Sequence, residues 1–304
     1  MSATHDGGAA PGDGARATTV APFGRRLTAA MATHGPLCVG VDPHPALLQR
    51  WGLADDVAGL RTFGLRVVDA LGGHVAALKP QSAFYERHGS AGIAVLEELL
   101  VAAREAGTLT VLDVKRGDVG STMLGYADAY LRDGSPLAAD AVTLSPYLGL
   151  GSLAPAIDAA LDTGRGVFVL ALTSNPEGAG VQHARDAGGR AVAGQVVDGA
   201  RARNAAELAT GEPLGSVGLV VGATVGTAAR ELGIDLAATG GALLAPGVGA
   251  QGAGPRELAE VFGGAERAVL ASTSRAVLAA GPDGASLRGA ARAAAAEVTA
   301  ALGL

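Results

Sequence analysis

Short apolar runs of β-forming residues recur eight times along the chain, at Leu37–Val41, Val75–Leu78, Leu109–Val114, Ala141–Leu144, Val167–Leu172, Val217–Val221, Ala242–Ala245 and Ala268–Ala271. Gly, Pro or Asp bounds them, and longer segments with helical periodicity, such as Gly92–Glu105 and Gln195–Ala209, lie between. Eight strands alternating with helices predict an α/β chain folded as a single parallel (β/α)8 barrel, a TIM barrel. An open doubly wound sheet is the alternative, but it would usually want a glycine fingerprint after its first strand. Here the first run ends Gly40-Val41-Asp42-Pro43, which favours the barrel. The segment Phe23–Thr33 predicts a helix that caps the bottom of the barrel before strand one. The Gly-rich stretch Pro176–Arg190 suits a loop after strand five rather than a domain boundary. Residues 1–22 are rich in Gly, Ala and polar side chains and are expected to form a disordered tail, leaving 23–304 as one barrel domain.

Composition removes several function classes. A net charge of -6 gives no basic footprint for nucleic acid. The tail lacks the apolar core of a signal peptide. The longest uncharged run, Leu236–Pro255, is too rich in glycine and proline for a membrane helix. A single cysteine, Cys38, excludes an intrachain disulfide and fits a reducing cytosol, so a cytoplasmic protein is expected. No HExxH motif or close histidine pair suggests a metal. The histidines show no pairing pattern and are read as surface or packing residues.

The basic residues are more informative. Of 23, 21 are arginine and only Lys79 and Lys115 are lysine. Lysine is a compact point charge whose pKa moves readily on burial, so it can give and take a proton. Both lysines follow apolar β-type runs, where two leftover surface lysines would not be expected.

In a parallel barrel the chemistry sits at the C-terminal ends of the strands. Strand one delivers Asp42, strand two Lys79, and strand three Asp113 and Lys115, with Asp118 in the following turn. Asp113 and Lys115 are two apart and so share a side of the strand. With Lys79 on the neighbouring strand, an alternating Lys–Asp–Lys row becomes possible. Opposite charges about 4 Å apart at an effective dielectric of 20 attract by roughly 4 kcal/mol. A structural ion pair at the barrel mouth is the plainer alternative, although a closed Asp113–Lys115 pair would not need Lys79 and Asp118 as well. Asp118 is equally a candidate cap for a helix beginning near Ser121, and Asp42 before Pro43 a candidate turn residue. Strand five ends Thr173-Ser174-Asn175. The small residues of "APGVGAQG" after strand seven, with Arg275 after strand eight, suggest a phosphate site.

These segments resemble one family, the orotidine 5'-monophosphate decarboxylases, in their longer bacterial branch. "LCVGVDPHPALL", "ALKPQSAFYE", "LDVKRGDVGST", "ADAVTLSPYLG", "LALTSNPEG", "LLAPGVGAQG" and "STSRAVL" occur in family order and span about residues 23 to 280. The Asp-x-Lys-x-x-Asp pattern also marks sister sugar-phosphate enzymes, which carry an acidic magnesium ligand near the end of strand two where this chain has Lys79. Strand eight departs from the pattern, reading Thr-Ser-Arg where many relatives have Gly-Arg. The resemblance implies removal of CO2 from orotidine 5'-monophosphate to give UMP, the final step of de novo UMP synthesis, with no metal or organic cofactor. It implies Lys115 as the proton donor to C6, Asp113 against the substrate carboxylate, and Lys79 holding Asp113 and the ribose. Asp42 would bind ribose hydroxyls, Ser174 the pyrimidine amide, and Gln251 and Arg275 the phosphate. Asp118 and Thr122 would reach the neighbouring subunit's site, making a homodimer the functional unit. A Schiff-base aldolase, a magnesium-dependent sister enzyme and a non-catalytic phosphate-binding barrel are the alternatives.

Overall fold

The computed structural model describes residues 20–248 and 253–304. Eight parallel strands pair in chain order: β1 (Leu37–Val41), β2 (Ala77–Pro80), β3 (Leu109–Arg116), β4 (Ala141–Leu144), β5 (Gly166–Leu172), β6 (Gly215–Val221), β7 (Gly241–Pro246) and β8 (Val269–Thr273). β8 returns to β1, so the sheet closes into the expected (β/α)8 barrel. The alternation of side chains along each strand splits the apolar residues into two layers. Leu37, Val39 and Val41 of β1, with Leu112 and Val114 of β3, face the surrounding helices. Cys38, Ala77, Val111, Ala141, Phe168 and Leu270 fill the barrel interior.

The predicted capping helix forms over Phe23–His34. Its Phe23, Leu27 and Met31 belong to the interior cluster, so the helix plugs the N-terminal end of the barrel. The ring of Phe23 meets that of Phe168 edge to face, with centroids 5.9 Å apart. β5 begins with Gly166 because a Cβ there would fall inside the Phe23 ring. Interior positions at this end can be as small as alanine because the helix supplies the missing volume.

Six strands differ from the expected bounds: β5, β6 and β7 begin one or two residues early, β7 also ends one residue late, and β2, β3 and β8 differ as follows. β2 runs Ala77–Pro80 rather than Val75–Leu78, so Lys79 lies within the strand; Val75 and Ala76 are buried but precede it. β3 continues two residues past Val114, to Arg116. β8 runs Val269–Thr273 because Ala268 closes a short 3-10 turn. The connection after β5, expected to be an open loop, carries a 3-10 turn at Pro176–Gly178 and a short helix at Ala179–Gln182. Gln182 ties it down: its Oε1 accepts from the Thr173 N–H at 2.9 Å, and its Nε2 donates to Thr173 Oγ1 at 2.7 Å.

Most of the expected tail at 1–22 lies outside the described residues. At its end, the Ala21 carbonyl accepts from Arg26 Nε at 3.1 Å, leading the chain into the first helix. No helix among the described residues is long and apolar enough to cross a membrane.

Candidate active site

The interior-facing positions of β2, β3 and β4 converge at the C-terminal mouth. Lys79 Nζ donates to Asp113 Oδ2 at 2.9 Å, and Lys115 Nζ donates to Asp113 Oδ1 at 2.6 Å. The alternating row predicted from sequence is therefore present, with the carboxylate bridging two ammonium groups. Lys79 is 8% exposed and Asp113 6%, whereas the Lys115 side chain remains 46% exposed toward the cavity and solvent. Burial works against the charge on Lys79, but Asp113 and then Asp42 outweigh it and hold the ammonium above the usual lysine range. Burial likewise opposes the ionised form of Asp113. The two lysines overcome it and hold the carboxyl down at about 2.

Lys115 occupies an unusual backbone position. Its φ is 46°, the left-handed region, and it is the one non-glycine with positive φ among the described residues. Such a conformation costs about 1–3 kcal/mol and persists only where its surroundings impose it. Between Leu112 and Arg116 the β3–β4 register shifts: Leu112 pairs with Val142, but Arg116 pairs with Leu144. The extra β3 residues bulge at Lys115. Its backbone N–H donates to the hydroxyl of Thr143 at 2.9 Å, and that hydroxyl donates to Asp113 Oδ1 at 2.8 Å. Gln81 braces the other side, accepting from Lys115 Nζ at 3.3 Å while donating to the Asp113 carbonyl at 3.2 Å.

Two cavities open onto this row. One, of about 280 Å³, is lined by Lys79, Asp113, Lys115, Thr143 and Ser174 together with the apolar side chains of Leu170, Val220 and Leu244. The other, of about 660 Å³, is lined by Asp42, His44, Arg50, Lys79, Ser274 and Arg275. Lys79 and Pro246 border both. The smaller space has the size and apolar walls for a planar ring, and the larger carries two arginines for an anion. Asp42 Oδ1 is buried without a hydrogen-bond partner among the described residues. β1 has Gly40 beside it, where a Cβ would stand 2.8 Å from Asp42 Oδ2 and 2.9 Å from Ser274 Cβ. The Asp42 carbonyl accepts from the His44 N–H at 2.8 Å, so this residue makes a turn as well as lining the cavity.

The remaining expected residues divide. Gln251 lies outside the described residues. Asp118 and Thr122 line neither cavity. They sit at the rim, where Asp118 Oδ1 accepts from the N–H of Val119, the residue that precedes helix Gly120–Tyr130. Asp118 is thus not the side-chain cap of that helix. Around it, Val119, Leu124, Tyr147 and Leu148 are exposed apolar side chains, with Tyr147 at 78%. Four site residues escaped the sequence reading: Thr143, Gln81, Arg50 and His44. Two had a visible signal, since Thr143 is the lone polar residue of the AVTL strand and Gln81 continues the inward alternation begun by Lys79. His44 packs edge on against Phe84 at 4.3 Å, which matches the packing role expected of it, and also borders the cavity.

Known proteins resemble this chain over most of its length. The orotidine 5'-phosphate decarboxylase of Salinispora arenicola is 62% identical over 269 residues, covering 88% of this chain and 94% of that one. The protein of the same name from Streptomyces coelicolor is 56% identical over 271 residues, covering 89% and 94%. A crystal structure from Streptomyces avermitilis superposes with a TM-score of 0.89 at 56% identity, covering 94% of this chain and 98% of that one. The OMP decarboxylase of Leishmania donovani superposes at 0.71 with 30% identity, covering 91% and 98%. The model of the orotidine 5'-phosphate decarboxylase / HUMPS family matches residues 35–290. With the barrel, its lysine-flanked carboxylate and these similarities together, the chain belongs to the orotidine 5'-phosphate decarboxylase / HUMPS family.

Proposed function

We propose that the chain removes CO2 from orotidine 5'-monophosphate to give UMP, using side chains alone. The observation that carries this reading is the placement of Asp113, buried and ionised between Lys79 and Lys115. Within this family, a lysine on β2 in place of an acidic magnesium ligand supports the decarboxylase over its metal-dependent sisters.

The pyrimidine enters the smaller cavity, with its C6 carboxylate against Asp113 and its amide on Ser174. When the C6–carboxylate bond breaks, its electron pair stays on C6. No electron sink conjugated to that carbon is supplied, so the charge must be met electrostatically. The ammonium of Lys115 lies beside the developing charge and transfers a proton from Nζ to C6. Asp113 loses its repulsion with the substrate as CO2 departs, while Lys79 keeps the Asp113 carboxylate ionised and fixed. The ribose hydroxyls fall to Asp42, whose buried oxygen lacks a partner among the described residues, and to Lys79. The phosphate falls to Arg275 and Gln251. Enzymes lower barriers by about 8–23 kcal/mol, more than one ion pair provides, so binding at the remote phosphate must contribute to rate.

The same proposal makes the active unit a homodimer in which Asp118 and Thr122 of each chain complete the partner's site. Their absence from the cavities of their own chain and the exposed apolar residues around them support it. Loss of orotidine 5'-monophosphate absorbance, followed with purified protein with and without EDTA, tests the reaction. Activity unchanged by EDTA is expected, and Lys115→Ala should lower kcat/KM by about 10²–10⁴-fold, the usual worth of a positioned acid. Binding of UMP without turnover, or full activity in Lys115→Ala, overturns the reading.

A further inference from the structure

We infer that Thr143 is a positioning residue for the proton donor. This rests on the reading of Lys115 above and extends it to a residue on another strand. The register shift between β3 and β4 deprives the Lys115 N–H of an ordinary ladder partner, and the Thr143 hydroxyl takes that place at 2.9 Å. A hydroxyl has one proton to give and two lone pairs. Thr143 uses the proton on Asp113 Oδ1, at 2.8 Å, the same oxygen that receives Lys115 Nζ at 2.6 Å. One side chain therefore fixes both ends of the donor: the backbone that holds Lys115 at φ 46° and the carboxylate oxygen that orients its ammonium.

The rest of the environment makes this fixation firm. Thr143 is 1% exposed, so water does not readily replace its hydroxyl, and a β-branched side chain has few χ1 choices. Its position on β4, paired with Phe168 of β5, places it on a rigid element rather than a loop. The left-handed backbone of Lys115 carries a conformational cost that needs an imposed contact, and the hydroxyl contact supplies one. Without it, Lys115 is free to relax toward ordinary extended backbone, which would move Nζ from its place over the reacting carbon. Thr143 also lines the smaller cavity, so a replacement that keeps its shape would change nucleotide binding little, with Asp42, Ser174 and Arg275 untouched.

The test compares Thr143→Val, which keeps the shape and removes the hydroxyl, with Thr143→Ser, which keeps the hydroxyl. Thr143→Val is expected to lower kcat about 10- to 100-fold, the worth of one to two net hydrogen bonds with charged groups. KM and the affinity for UMP should stay within about threefold, since ground-state binding contacts are retained. Thr143→Ser should recover kcat to within about threefold of the wild type, because it restores the hydroxyl bonds. A purely structural role would not give this split between kcat and KM or the rescue by serine. A folded Thr143→Val enzyme with wild-type kcat, or serine no better than valine, overturns the inference. Should the valine variant fail to fold, Thr143→Ala against Thr143→Ser decides in the same way: alanine as active as serine overturns it. If this inference alone fails, the wild type still turns the nucleotide over and Lys115→Ala is still impaired; if the parent reading fails, the wild type shows no turnover or Lys115→Ala keeps full activity, so the two are told apart.

Discussion

Asp113 accepts from two ammonium groups and one hydroxyl, so its ionisation follows the integrity of the whole row. Its folded pKa is lowered, so its stabilising contribution is present above the ordinary carboxylate range and is lost as pH falls toward 2. Lys79 behaves in the opposite sense. Its raised pKa gives a contribution complete below the ordinary lysine range and lost only in strong alkali. Both are therefore intact from about pH 5 to 9. Asp113→Asn leaves Lys79 buried beside a neutral partner and should destabilise the fold by about 3–5 kcal/mol at neutral pH. In urea titrations the gap to the wild type should narrow below pH 4, by on the order of 1 kcal/mol at pH 3. A gap constant down to pH 3 would mean that Asp113 is not held ionised by the lysines. At this scale the sequence was readable where composition made residues rare: two lysines among 23 basic residues point to the site without any structure. Thr143 shows only as the lone polar residue of an apolar strand, and the register shift beside it is what reveals the work of its hydroxyl.

The eight apolar runs identified every strand, yet β2, β3 and β8 each extend past the end of the run. The cause is physical. Strand ends at the mouth carry polar side chains into the site, so the hydrophobic pattern stops before the hydrogen-bond ladder does. Lys79, Lys115 and Thr273 are all strand residues that look like loop when judged by hydropathy. The N-terminal helix was easier to read, since its apolar residues at 23, 27 and 31 recur at helical spacing. Its role as a plug makes a specific prediction. Phe23→Ala removes a ring that is 2% exposed and packed on Phe168, and should cost about 3–5 kcal/mol in urea unfolding. The loss of that ring should leave KM for the nucleotide unchanged, because the site lies at the other end of the barrel. A loss below about 1 kcal/mol would show that the helix merely rests on the surface.

Closure of β8 onto β1 was legible from the count of strands, because eight parallel strands suit a barrel that leaves no unpaired edge. How two chains meet was not, since the exposed Val119, Leu124, Tyr147 and Leu148 are scattered in sequence and share a rim only after folding. The shared-site proposal predicts complementation. Lys115→Ala and Asp118→Ala chains, each of low activity alone, should regain activity when mixed and allowed to exchange, because one of the two sites in each heterodimer is then complete. With heterodimers confirmed by native mass spectrometry, no recovery would count against a shared site. The helical stopper at one pole and the charged row at the other have a further consequence for how such a molecule can change. Heat tolerance can be raised or surrendered through the packing around Phe23, while the electrostatics that set turnover remain as they were. A lineage or a laboratory library is therefore free to explore the two properties along separate axes.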